Sequence, residues 1–348
     1  MPGRTRLVLA GLLAAGAMVP GMPSAAAEST PAVKVVVSDW SQGGWIAKAT
    51  CPSGYGLVGG GQDARLDTNA FGALSDGIEA NAPDPNSTNT WMTQAKSGSV
   101  RSFALCAKDA PVPVVVASDW PQDHWIATAT CPAGTHLIGG GEDARLETMV
   151  SGDVDDDIEL NAPDANTPDT WSAQAKKGQA RALALCATGA PALKVVVSDW
   201  SQRGWIAKAT CPSGYGLVGG GQDARLDTNA FGALSDGIEA NAPDPNSTNT
   251  WMTQAHSGAV RSFALCAPSA PVPVVVASDW STDGRQVRAS CPQGTQLAGG
   301  GQDARLRTDS FGSVDDDVEL NTPDPQNPNT WTVRAHSGQS RALVMCTP

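Results

Sequence analysis

Apolar and polar positions in this chain alternate in short runs. Val33, Val35 and Val37 alternate with Lys34, Val36 and Ser38, and Asp39-Trp40 ends the run. Trp45 to Thr50 leads into Cys51, and Gly56-Leu57-Val58 runs into Gly59-Gly60-Gly61. Further runs cover Ile78 to Asn81, Thr90 to Ala95 and Val100 to Cys106. Gly, Pro, Asn, Asp or Ser bounds each run, which is how strands and turns read. No window of a dozen residues carries the apolar stripe of a helix.

The pattern then repeats. Residues 31–110, 111–190, 191–270 and 271–348 align without a gap. Cys51 falls on Cys131, Cys211 and Cys291, and Cys106 on Cys186, Cys266 and Cys346. A fixed period of this kind decides the architecture. It predicts an all-β chain of four tandem, disulfide-bonded units of 80 residues, each a small β-sandwich or barrel. A propeller is the competing picture, but its blades usually hold about 40–50 residues. Units meet at Ala110-Pro111, Ala190-Pro191 and Ala270-Pro271, so neighbours should be close and partly fixed. Units one and three (type A) differ at six positions, including Gly43 to Arg203 and Lys96 to His256. Units two and four (type B) share an Asp-Asp-Asp run, at Asp155–Asp157 and Asp315–Asp317. The order is A-B-A-B, so only features shared between the types carry information.

A unit that duplicates as a module should carry its own bridge. Cys51 is therefore paired with Cys106, Cys131 with Cys186, Cys211 with Cys266 and Cys291 with Cys346. Each bridge closes a loop worth roughly 4 kcal/mol in the chain-entropy model. Such bridges belong to exported proteins, and residues 1–27 read as a secretory signal. Arg4 and Arg6 precede the apolar run Leu7 to Val19, and Ala25-Ala26-Ala27 supplies a cleavage site. Losing the two arginines takes the net charge from −12 to −14. So acidic a chain should be repelled by nucleic acid and by anionic membrane. The expected location is extracellular.

Five features recur in all four units. They are Asp39-Trp40, the triple glycine with Asp63-Ala64-Arg65-Leu66, the stretch Asp76 to Asp84, Thr90-Trp91, and Arg101. Trp with Asp and Asn suits sugar: the ring stacks on an apolar sugar face while carboxylate and amide take hydroxyls. The candidate ligand residues are Asp39, Trp40, Glu79, Asn81 and Trp91 in unit one. Their copies are Asp119, Trp120, Glu159, Asn161 and Trp171; Asp199, Trp200, Glu239, Asn241 and Trp251; and Asp279, Trp280, Glu319, Asn321 and Trp331. The competing reading makes both tryptophans core residues, because the unit is poor in Phe and Tyr. Trp45 reads as a surface residue, because unit four places Arg285 there.

Asp76, Asp84, Asp156, Asp164, Asp236, Asp244, Asp316 and Asp324 supply hard oxygens that calcium would accept. The competing reading puts these acids in turns, with Arg65 and Arg101 paired to Asp63 or Glu79 across strands. No cofactor is required; calcium is the one candidate. The triple glycine reads either as a ligand-approach loop or as a bulge between strands. Catalysis finds little support, because His124, His136, His256 and His336 share no position common to all units.

Cys51-Pro-x-Gly, Gly59-Gly60-Gly61, Trp91 and the closing Ala104-Leu105-Cys106 resemble repeats of secreted proteins of filamentous actinobacteria. The resemblance implies an exported, disulfide-bonded β module with no established activity. The expected function is a secreted, lectin-like, multivalent binder of extracellular or cell-wall glycan. Four weak sites in one chain would gain by avidity. A module binding another secreted protein, such as a protease, is the alternative, with the turn Pro83 to Asn89 as its contact. A hydrolase using acidic residues is the third reading.

Overall fold

The computed structural model describes residues 33–70, 74–122, 124–149, 155–310 and 312–348; the expected signal segment lies outside them. Unit one contains β1 (Val33–Val37), β2 (Ala47–Thr50), β3 (Tyr55–Arg65), β4 (Ile78–Pro83), β5 (Thr90–Ala95) and β6 (Ser99–Lys108). The other three units repeat these six strands, and no helix occurs among the described residues. β3 runs through the triple glycine to Arg65, where the apolar pattern had stopped.

Each unit divides its strands into two antiparallel groups, β1-β6-β3 and β2-β5-β4. Alternation decides which side is buried: Ala47 and Ala49 of β2 face inward, Lys48 and Thr50 outward. Cys51, just beyond β2, is bonded to Cys106 of β6, which ties one group to the other. The remaining bridges are Cys131–Cys186, Cys211–Cys266 and Cys291–Cys346, one per unit. Alanine dominates the interior, and Trp91 with Leu57 supplies much of the bulk around the bridge.

Neither strand group ends at its unit's border. The outer edge of β3 pairs with Val318–Pro323 of unit four, through Leu320 to Asp63 and Asn321 to Gln62. The outer edge of β4 pairs with His136–Arg145 of unit two, through Ala80 to Asp143 and Asn81 to Glu142. Units two and three, and three and four, join in the same register. Four six-stranded sheets result, each straddling a seam, and the last unit closes on the first. The chain is a four-bladed, propeller-like ring, and this corrects the expectation of four small sandwiches or barrels. A lone unit would leave the edges of β3 and β4 unpaired, and ring closure satisfies both. Periodicity reveals strands but not which edges meet, and blades of 80 residues are longer than usual.

The triple glycine is explained by three separate contacts. The β3–β6 register shifts between Leu57 and Gly59, so a bulge lies there. A Cβ on Gly60 would meet the Trp91 ring at 2.3 Å. A Cβ on Gly61 would meet the Asn321 carbonyl oxygen of unit four at 2.4 Å. The glycines are a bulge, a seat for an aromatic ring and a seam contact.

Candidate functional site

The predicted ligand residues separate into three places. Trp91 and Asn81 come together on the ring axis. The indole Nε1 of Trp91 donates to Asn81 Oδ1 at 2.8 Å, and the other three units repeat the bond at 2.7 Å. All four tryptophans are buried, their faces against Gly60, Gly140, Gly220 and Gly300. The four Trp–Asn pairs line a central cavity of about 210 Å³. A second cavity of about 120 Å³ shares the four asparagines and adds Gln62, Glu142, Gln222 and Gln302. A third, about 40 Å³, shares Asp157 and Asp317 with the second. The shared walls place the three in one row.

All four units give the third cavity an aspartate, Asp76, Asp156, Asp236 and Asp316, and the B units add further acids to the row. Glu142 stands where the other units carry glutamine, and Asp157 and Asp317 stand where A units carry Gly77 and Gly237. Burial pushes the Glu142 carboxyl well above its usual value. Burial, then the charge of Asp317, does the same to Asp157. Burial pushes Asp317 up to about 6, with Asp316 and Glu319 adding to it. Asp317 therefore holds its proton at mildly acidic pH, and Asp157 is shifted in the same direction. Among the described residues, no three His, Cys, Asp or Glu side chains are grouped to hold a metal ion.

Glu79 and its copies lie at the seams. Glu79 Oε1 accepts the backbone N–H of Leu146 in the next unit, and Lys96 Nζ donates to the Leu146 carbonyl. Glu159 and Lys176 hold Leu226 in the same way. Glu239 and Glu319 bond to Leu306 and Leu66, each with a histidine, His256 or His336, at its carboxyl. Burial raises the Glu79 and Glu159 carboxyls against their lysines. Burial also pushes Glu319 up, but His336, the Leu66 N–H and Arg334 together hold it below its usual value. Its bond to Glu319 raises His336. Arg334 belongs to the closing seam alone, reaching Asp63 Oδ1 and Glu319 Oε2 at 3.0 Å each. The other units carry Gln94, Gln174 and Gln254, which donate to their own unit's loop carbonyls.

Asp39 and Trp40 lie on the outside. Asp39 is exposed and Trp40 half-buried beneath two guanidinium groups, Arg65 at 4.1 Å and Arg101 at 4.9 Å. Every unit repeats this stack. Arg101 is held by Asp63 at 2.6 Å, the cross-strand pair expected from sequence.

The calcium candidates also form two sets. Asp76 accepts the backbone N–H groups of Asp67, Gly77, Ser97 and Gly98, so its oxygens lock the β5–β6 turn. Its copies Asp156, Asp236 and Asp316 bind the corresponding turns. Asp84, Asp244 and Asp324 are paired with Lys48, Lys208 and Arg288 at 2.6, 2.6 and 2.7 Å. Asp164 bonds to Ser172 and to backbone N–H groups. The Pro83 to Asn89 turn is pinned by Asn89, whose side chain accepts Leu57 N–H and donates to the Tyr55 carbonyl.

The surface offers a further set. Trp45 is 76 % exposed, Trp125 62 % and Trp205 68 %, each followed by an exposed isoleucine. Gly44 holds the Trp45 loop against the β5–β6 turn, with its N–H on the Gly98 carbonyl. A side chain on Gly44 would meet the Lys96 carbonyl oxygen at 2.7 Å. The seam grooves were not legible in advance. Grooves of about 180 and 140 Å³ open where a B unit precedes an A unit, walled by Leu160 and Phe263 or by Leu320 and Phe103. Their signal was the A-to-B exchange of Met92 and Met252 for Ser172 and Thr332. No family model matches the chain, and no curated protein matches it.

Proposed function

We propose that this is an extracellular, multivalent glycan-binding protein whose contact residues are the exposed tryptophans Trp45, Trp125 and Trp205. The supporting observation is the repetition of an exposed Trp-Ile pair on an anchored loop in three of the four units. An indole carried on an anchored loop loses less freedom on stacking against a sugar's apolar face than one on a loose segment. Three such platforms on one ring multiply a weak contact into useful avidity. Four disulfides, one per unit, suit an oxidising, extracellular setting. The candidates Trp91, Asn81 and Glu79 and their copies then serve the ring's interior and seams, and the ligand surface shifts outward.

The test is a pull-down of the purified chain on chitin, cellulose and peptidoglycan, with the triple variant Trp45→Ala, Trp125→Ala, Trp205→Ala beside it. Retention by at least one polysaccharide, lost in the triple variant at unchanged thermal stability, supports the reading. Equal retention of both proteins, or none of either, rejects it.

A further inference from the structure

We propose that the groove between units two and three binds a primary ammonium group carried on an amino sugar. The identity of the carrier rests on the glycan reading; the ammonium site itself does not.

Unit two lacks a base that the other three units share. In units one, three and four the aspartate after the β4 proline is neutralised by a base two residues before the end of the β2 strand. The pairs are Lys48–Asp84, Lys208–Asp244 and Arg288–Asp324. Unit two has Thr128 at that position. Asp164 has no basic partner among the described residues. Its Oδ1 accepts the N–H groups of Asn166 and Thr167, and its Oδ2 accepts the Ser172 hydroxyl. Those bonds orient the carboxylate without supplying a positive charge. Asp84, Asp244 and Asp324 are buried beneath their bases, whereas Asp164 is part-exposed.

A cavity lies beside this carboxylate. Asp164, Asn166 and Ser172 face Ile126, Leu160 and Phe263 across about 180 Å³. Arg261 also lines the groove, but Asp223 engages its guanidinium at 2.6 Å. The groove between units four and one shows that these surroundings tolerate a cation, because it holds Arg288 beside Arg101. An ammonium in place of the missing lysine would complete the pair that the sister units make internally. The sugar ring that carries it has apolar walls in Ile126 and Phe263 and a polar partner in Asn166. The exposed Trp125 adjoins the groove residue Ile126 in the chain. The chain's net charge of −12 draws cationic ligands toward it.

The test is calorimetric titration of the full chain with glucosamine oligomers, their N-acetylated counterparts and an oligolysine peptide. Thr128→Lys is the decisive variant, because units one and three already fold with lysine there. The expected result is glucosamine binding at least tenfold tighter than that of the acetylated oligomer, and loss of that preference in Thr128→Lys at unchanged thermal stability. Equal binding of acetylated and free-amine oligomers overturns the ammonium site and leaves the glycan reading standing. A glucosamine preference that persists in Thr128→Lys also overturns it. Oligolysine binding without sugar binding, lost in Thr128→Lys, overturns the amino-sugar assignment and the glycan reading together.

Discussion

The two kinds of seam share a backbone and differ in their side chains. Where an A unit precedes a B unit, Met92 is buried with Ala80, Ala82 and Leu183, and Met252 with Ala240, Ala242 and Leu343. Where a B unit precedes an A unit, leucine replaces the first alanine, serine or threonine replaces methionine, and phenylalanine replaces leucine. Leu160, Ala162 and Phe263 form that cluster between units two and three. Bulk has moved from β5 to its neighbours, and a groove is left at the surface. The strand register is the same at all four seams. Closure of the ring is therefore carried by backbone pairing, glycine and the seam glutamates, and side chains at alternate seams are free to diverge.

The largest expected effect tests the shared part. A Cβ on Gly141 or Gly221 would lie 2.3 or 2.4 Å from the carbonyl oxygen of Asn81 or Asn161. Gly141→Ala and Gly221→Ala should each destabilise the ring by about 3 kcal/mol, because backbone must move to relieve the overlap. Denaturant unfolding should give equal losses at the two seams; unequal losses would break the equivalence.

The second prediction tests the divergent part. Met92→Ser removes a buried side chain and should cost roughly 2–4 kcal/mol. Ser172→Met places bulk at a seam that already has a groove and should stay within about 1 kcal/mol of the parent chain. A harmless Met92→Ser would mean that methionine does not fill the seam.

The smallest effect concerns the axial acids that only B units supply. Asp157 and Asp317 have raised values in the folded ring, Asp317 at about 6 against an ordinary 3.8. The folded state binds protons more tightly, so the Asp317 contribution is complete below about 3.8 and is lost as pH rises through about 6, and Asp157 acts in the same direction. The melting temperature should fall between about pH 4 and 6.5, and Asp157→Asn with Asp317→Asn should reduce that fall by a few degrees. An unchanged pH profile in the double variant would show that the pair does not titrate there.

Local structure was legible because it has local causes. Alternating valines gave β1, and matching cysteines gave the bridges. The end of β3 was missed because three glycines resemble a stop, whereas a bulge, Trp91 and a neighbouring unit require them. The ring was missed because seam partners lie far apart in sequence; Glu79 reads as a ligand group until Leu146 is found at its oxygen. Glu79, Asn81 and Trp91 recur because every seam and every axial pair needs them. Trp45, Trp125 and Trp205 point outward, and unit four does without them.

Closure also sets an order of events. Gln62 donates to the carbonyl of Val318, a partner 256 residues further on. During synthesis the outer edge of β3 stays open until that strand exists, and contacts of such separation form slowly. All four seams use one register, so backbone pairing alone does not distinguish the correct closing strand from another unit's. Arg334 does, because no other unit presents a guanidinium at that position to Asp63. The final unit thus carries an address for the first, written in a single residue.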